Sequence, residues 1–488
     1  MGKISLPPEI ISSDKTPRTA VAFDKTSGAK QTADTAREVL LIGQSVSGGA
    51  SAAATPQVLL REDDGAFYFG AGSMLDYACR AAFLANPFVK LNGVSVADAG
   101  TKASTTVTFG GDCTVATQYR LRVAGKEYAI DVVVGDDEEQ ASAALVAAIT
   151  ADPGAIVTAA ADSETFVVTV TAKNGGTVGN GIKLVGGFDA SCGLTAALGA
   201  ASLASGTGTV SLTSSLAACT GKRYHVIACL LDDSTAGGSC KTHTNSEGDA
   251  EHNHGEIYVQ ACNAVLATAT TLALAMNAPR GVLATISGSE SWSVAICAAF
   301  AAVESREEVP TRPRNTTVLT GILPPPVASR WTRTETRNLL DNGCTPLVVQ
   351  PGEDVAILRE VVTGVKNAAG NFDYSTLDVT KILAFDFFRD NIVLMFNTNY
   401  AQARWADSDP DGLLPNDVAT PEKVTIDLIN VARDMESLGI VSNVETLKDQ
   451  FLVEKDGTKC LFSVPALIVD GMHEKLGKIV NILRLPLA

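Results

Sequence analysis

Three histidines and three carboxylates crowd one short segment of this chain: His243, His252 and His254 lie among Asp249, Glu251 and Glu256. A His-x-His pair on an extended segment puts two imidazoles on one side, a spacing that recurs at zinc sites. The segment THTNSEGDAEHNHGE is otherwise polar and nothing in it fixes ligand geometry, so a solvated loop and no metal are expected. A second constellation runs Asp232 or Asp233, then His252 or His254, then Ser287 or Ser289, the acid, base, nucleophile order of one serine-protease architecture. A nucleophilic serine needs a sharply defined turn and a base within hydrogen-bond reach. Neither a Gly-Thr-Ser loop nor a Gly-x-Ser-x-Gly elbow surrounds these serines, and no catalytic residue is assigned. The glycine-rich loop GQSVSGGAS follows an apolar strand and invites a phosphate, yet no Lys-Ser or Lys-Thr pair follows its glycines. It reads as a plain turn, and no cofactor is expected.

The 488 residues exceed one typical domain and are enough for several sizeable cores. With 38 basic against 54 acidic residues the formal charge is -16, which repels phosphate backbones and anionic lipid; neither nucleic acid nor membrane insertion is expected. The richest apolar run, Val294 to Val303, falls well short of the roughly 18 residues that a span requires. No apolar signal region follows Lys3, so synthesis in the cytosol is expected. The ten cysteines are scattered without a C-x-x-C pair, as buried reduced thiols would be.

The elements that would position such residues alternate between strand and helix. Val39 to Gly43 and Pro56 to Leu60 read as short buried strands, with Asp63 or Asp64 capping a helix after them. MLDYACRAAFLANP repeats apolar positions at helical spacing and stops before Pro87. Thr101 to Thr209 is poor in charge and rich in Ala, Gly, Thr and Val. Its alternating strands at Thr105 to Phe109, Tyr119 to Val123 and Tyr128 to Val134, with a helix after Asp136-Asp137-Glu138-Glu139, describe a small inserted α+β domain. Gly186 to Gly208 reads as linker. Tyr224 to Leu231 then reads as a strand, Ala261 to Met276 as one long helix, Gly281 to Ile286 as a strand and Trp292 to Val303 as a helix, a rhythm for a mostly parallel sheet covered on both faces. Pro310 to Pro313 and Leu323 to Pro326 mark a rigid crossing. Thr420-Pro421-Glu422 starts a helix that ends at Gly439, and Lys459 to Val469 and Lys478 to Leu485 are strand-like.

The stretch Asn338 to Asn391 orders its pieces less ordinarily: Leu339-Leu340-x-Asn342-Gly343, an apolar run, a Gly352 turn, Leu358-Arg359-x-Val361-Val362-Thr363, Gly370-x-x-Asp373 and Thr376-Leu377-Asp378-Val379. Taken alone, Gly343 and Gly352 are turns, Arg359 an exposed strand charge, and Asp373 or Asp378 a cap. Together with Leu-Ile-Gly-Gln and Phe-Gly-x-Gly-Ser near the start, the order resembles contractile tail sheath proteins of the Mu type. The resemblance implies an α/β, multi-domain chain: a subtilisin-like doubly wound core without a catalytic triad, an inserted α+β domain and a C-terminal α+β domain with extended terminal arms. The implied division is an arm at 1–36, core at 37–100 and 210–390, the protruding insertion at 101–209, a C-terminal sheath domain at 391–477 and an arm strand at 478–488. It implies a virion tail protein assembled in the host cytoplasm: a homo-oligomer of stacked hexameric rings around a tail tube protein, in contact with baseplate and tail terminator proteins. Thr19, Val21 and Phe23 at one end, and Ile479, Ile482, Leu483 and Leu485 at the other, would pair as strands with neighbouring subunits. Two alternatives are a subtilisin-like α/β serine hydrolase and a non-contracting baseplate protein.

Overall fold

The computed structural model describes residues 37–98, 100–307, 309–408, 414–415 and 417–473. The arm residues Thr19, Val21, Phe23, Ile479, Ile482, Leu483 and Leu485 lie outside them. Strand β1 (Glu38–Gln44) starts the central sheet, followed by the short β2 (Gln57–Leu59), helices α1 (Asp64–Phe69) and α2 (Met74–Ala85), and β3 (Lys90–Val96). Ser73 caps α2 by accepting from the Asp76 amide. Asp64 does not cap its own helix; its carboxylate takes the amides of Leu60 and Arg61, fixing the preceding turn. β2 is an antiparallel edge strand rather than a buried one, leaving Val58 57% exposed and Leu60, just after it, 76% exposed.

The chain then leaves this sheet. β4 (Lys102–Gly110), β5 (Thr117–Val123), β6 (Lys126–Val132), α3 (Glu138–Thr150), β7 (Val157–Ala161), β8 (Val168–Gly175), β9 (Leu184–Phe188) and β10 (Thr195–Leu198) build two antiparallel sheets, ordered β10-β4-β8-β7 and β6-β5-β9. Asp137 and Gln140 close a capping box on α3. The glycine-rich return read as linker holds the end of β9 and all of β10, because edge pairing to β5 and β4 outweighs the weak strand propensity of Ala and Gly.

Helix α4 (Thr213–Cys219) and strand β11 (Val226–Cys229) bring the chain back, and α5 (Ser234–Glu247), β12 (Ile257–Asn263), α6 (Leu266–Met276), β13 (Gly281–Ile286), α7 (Ser293–Glu304), α8 (Arg333–Asp341), β14 (Thr345–Val349) and β15 (Val355–Ile357) complete the core. The eight strands run β15-β14-β13-β12-β11-β1-β3-β2, parallel except at the two edges. β11 and β13 are buried at every position, as strands covered on both faces must be. Helices α2 and α7 pack together on β1 and β11, while α5, α6 and α8 form a second packed set. Two sequence expectations fail here. The single helix from Ala261 to Met276 is a strand joined to a helix, since a wholly buried strand shows no alternation to separate it from a helix. The polar loop around His243 is half helix: α5 reaches Glu247, capped by Asp233 and held by packing despite its two glycines.

The last part holds α9 (Val379–Asn399), β16 (Arg404–Trp405), β17 (Val418–Ala419), α10 (Pro421–Ser437), α11 (Val444–Leu447), β18 (Leu452–Asp456) and β19 (Lys459–Ser463). Thr420 caps α10 with Pro421 in its first turn. A second apolar core gathers Phe388, Met395, Val424, Leu428, Ala432 and Met435 between α9 and α10. Of the two strand-like segments expected near the end, Lys459 to Ser463 forms a hairpin with β18. The hairpin carries Leu452 58%, Leu461 49% and Phe462 46% exposed, and its sheet has no third strand among the described residues.

Candidate functional site

The constellations that could do chemistry do not assemble. Each imidazole takes a different carboxylate: His243 Nε2 lies 3.4 Å from Glu256, His252 Nδ1 3.0 Å from Asp249 and His254 Nδ1 2.9 Å from Glu247. Hydrogen bonding to Asp249 holds the His252 pKa above its ordinary value. The hydrolase order also separates in space. β12 and β13 are parallel, with Tyr258 beside Gly281 and Asn263 beside Ile286. His252 and His254 precede β12 while Ser287 and Ser289 follow β13, so they lie at opposite ends of the sheet, about 20 Å apart at roughly 3.3 Å per strand residue. The buried Ser289 hydroxyl donates to the Leu323 carbonyl at 2.6 Å. Asp233 accepts the Thr235 and Ala236 amides, each at 2.9 Å, and Asp232 beside it is pushed up to about 6, by burial first and by Asp233 second. In the GQSVSGGAS loop, Val46, Ala50 and Ser51 spend their amides on the carbonyls of Phe69, Phe67 and Tyr68.

What does assemble lies in the stretch from Glu304 to Asp378. Glu304, the last residue of α7, is fully buried and accepts from Arg314 at 2.6 Å and from Arg37 at 3.2 Å. Glu360, also buried, lies 3.9 Å from the Arg314 Nε. Arg314 further donates to the carbonyls of Pro310 and Arg312, which pins the proline crossing. Two guanidinium groups and two carboxyls thus share one dry site. Burial pushes the Glu360 carboxyl well above its usual range, with the charge of Glu304 adding to it, and burial also lowers Arg37. Such a cluster is costly to desolvate and costlier to break, because removing Glu304 strands the two guanidinium groups that share it.

A second linkage adjoins the first. Arg359 is not an exposed strand charge; it forks onto Asp378 at 2.9 and 3.1 Å. His473 Nε2 lies 3.5 Å from the same Asp378, and its Nδ1 3.2 Å from the Asn315 amide nitrogen. Lys381 holds Asp470 at 2.9 Å, and Thr311 donates to the Gly439 carbonyl at 3.1 Å. Arg37, just before β1, and His473, ten residues after β19, are thus both held by the 304–378 segment. Reading Arg359 and Asp378 separately missed this. The signal in the sequence is the Arg359-Glu360 pair set directly before apolar Val361-Val362, charges that only partners could bury.

Farther along, Arg280 forks onto Asp386 at 2.6 and 2.8 Å, and Arg223 reaches Asp390 at 2.6 Å, seating α9 on the end of the sheet from which β12 and β13 start. These contacts tie the second core to the first. The arrangement holds chain segments from distant parts of the sequence against one another.

Residues 205–363 match the family model for the phage tail sheath protein central domain. The chain is 25% identical over 452 residues to the tail sheath protein of the Mu-like prophage FluMu in Haemophilus influenzae, covering 91% of each. A sheath tail protein from Desulfitobacterium hafniense shares the fold, with a TM-score of 0.51 at 14% identity over 93% of this chain and 97% of that one.

Proposed function

We propose, from the premise that this chain belongs to the phage tail sheath family, a family of structural tail proteins, that it is the repeating subunit of a contractile sheath. Copies polymerise helically as stacked hexameric rings around a tail tube, bounded by baseplate and terminator proteins, and contract to drive the tube through the host envelope. The core is of the subtilisin-like sheath type, without a triad.

One observation carries this reading: Arg37 and His473 are held by the same buried, charged segment, and the β18–β19 hairpin has no third strand among the described residues. A two-stranded hairpin is marginal by itself in water, and its unpaired edges are templates for added strands. Residues 19–23 and 479–485 supply such strands to neighbouring subunits, through Thr19, Val21, Phe23, Ile479, Ile482, Leu483 and Leu485. A five-residue strand offers about four to six outward hydrogen bonds, each worth roughly 0.5 to 1.5 kcal/mol net. Summed over a ring, that mesh survives large rotations. The rigid root passes tension on an arm into the core instead of dissipating it at a flexible joint.

Contraction in this reading is relaxation of an extended lattice into one of lower energy. The inserted domain, 101–209, faces outward from the tube, as an insertion between core strands does. Deleting residues 1–25 or 478–488 tests the reading: it requires soluble subunits that form no long sheaths under the electron microscope. Long sheaths from either truncated chain refute the arm linkage, and discrete particles from the intact chain favour a baseplate component.

A further inference from the structure

A cavity of about 170 Å³ opens at the carboxyl ends of β13 and β14, walled by Ile286, Pro325, Trp331, Leu347 and Val349 with Arg330 beside them. Its walls are fixed: the Trp331 indole donates to the Thr285 carbonyl at 3.3 Å, and Arg330 donates to the Pro325 carbonyl at 3.2 Å while pairing with Glu353. An apolar hole of roughly 150 Å³ takes up benzene, so this one has room for a single phenyl ring. An indole and a guanidinium in the wall favour an aromatic occupant over an aliphatic one.

The chain itself presents such a ring. Phe88, between α2 and β3, is 93% exposed, more than any other large apolar side chain among the described residues. Exposed Phe67, Phe372 and Phe462 each lean on another ring, Tyr68, Tyr374 and Phe396, while Phe88 has no ring neighbour among the described residues. The turn that carries it is anchored: the buried Asn86 accepts the Phe88 amide at 3.2 Å on its side-chain oxygen and donates to the Ala302 carbonyl of α7 at 3.0 Å. β3, β1, β11, β12 and β13 run parallel, so Phe88, just before β3, and the cavity, at the end of β13, lie at opposite ends of the strands. Four strand spacings at roughly 4.8 Å also separate β3 from β13, about 19 Å across the sheet.

We propose that the cavity is the seat of Phe88 from a second copy of this chain, an aromatic knob in a preformed hole that fixes the offset between neighbouring subunits. A contact given at one corner of the sheet and received at the opposite corner runs head to tail, and repetition makes a ring if the rotation closes and a helix if it does not. The inference rests on the polymeric reading above and supplies what the terminal strands lack: a strand on an extended arm ties two subunits together without setting their spacing. Both partners are pre-shaped, so little side-chain freedom is lost on docking.

The test places the photoreactive p-benzoylphenylalanine at position 88 of the full chain, mixes chains with and without heavy nitrogen, and irradiates the polymer they form. Cross-linked peptides are mapped by mass spectrometry. Expected are links from position 88 of one isotope to 286–287, 325–331 or 347–349 of the other. Phe88→Ala, and Ser287→Phe, which plugs the hole, should each weaken self-association in sedimentation by roughly 10- to 150-fold with unchanged melting curves. Links only to the chain's own residues or only elsewhere on the neighbour, or unchanged association in both variants, overturn the proposal and leave the sheath reading standing. A chain that stays monomeric refutes both. Sheaths of arm-truncated chains that keep the cross-link support the knob and hole and refute only the terminal strands.

Discussion

Replacing Arg314 with methionine probes the root of the chain ends most sharply. The guanidinium is 3% exposed, donates to Glu304 at 2.6 Å, faces Glu360 at 3.9 Å, and holds the carbonyls of Pro310 and Arg312. Methionine fills much of the same volume, so the cavity contribution is small and the loss is electrostatic. Removing one partner of a buried ion pair costs about 3 to 5 kcal/mol. Because a multidomain chain need not unfold in one transition, hydrogen exchange of the β1 amides at residues 39–42, next to Arg37, is the suitable assay. At 1.36 kcal/mol per tenfold, exchange there should speed up by roughly 150- to 5,000-fold. The double variant with Glu304→Gln should cost less than the two single losses together, since both single changes break the same Arg314–Glu304 pair. A protection loss below about fivefold, or strictly additive costs, refutes the idea that this cluster clamps the start of β1.

Asp232 is pushed up to about 6 by burial beside Asp233, so its charged form is disfavoured in the folded state. The sign follows: relative to wild type, Asp232→Asn should be stabilising above pH 6, by up to about 3 kcal/mol. That advantage should shrink as pH falls towards 4, and urea titrations at both pH values check it. Gly343 sits at φ +75 with its absent Cβ 2.8 Å from the Val362 carbonyl, whereas a Cβ on Gly352 meets nothing closer than 3.5 Å. Gly343→Ala should therefore cost about 2 kcal/mol or more and Gly352→Ala under about 1, read from melting curves. A fluorophosphonate should leave the chain unlabelled, because the Ser289 hydroxyl is buried on a carbonyl; labelling lost in Ser289→Ala would reinstate a hydrolase.

The parallel core was legible where the chain punctuates itself. Gly281 to Ile286 is a strand as read, Ser73 and Pro87 bracket α2, and Thr420-Pro421 opens α10. It was illegible where burial erases pattern. Ile257 to Asn263 shows no alternation because both faces are covered, and α5 carries too few apolar residues to announce a helix. α9 runs through Asn391 to Asn399 with apolar residues around much of its circumference, since it packs on both cores at once. The charged root was the least accessible part. Arg37, Glu304, Arg314 and Glu360 are spread over more than 300 residues, and only the folded topology brings them together.

A reconstruction of the assembled polymer by electron cryomicroscopy tests the central claim most directly. The account requires residues 19–23 and 479–485 to be hydrogen-bonded as strands to the β18–β19 hairpins of neighbouring subunits, in both extended and contracted lattices. Finding those residues folded back on their own subunit, or finding the hairpin edges bare in the polymer, would contradict it.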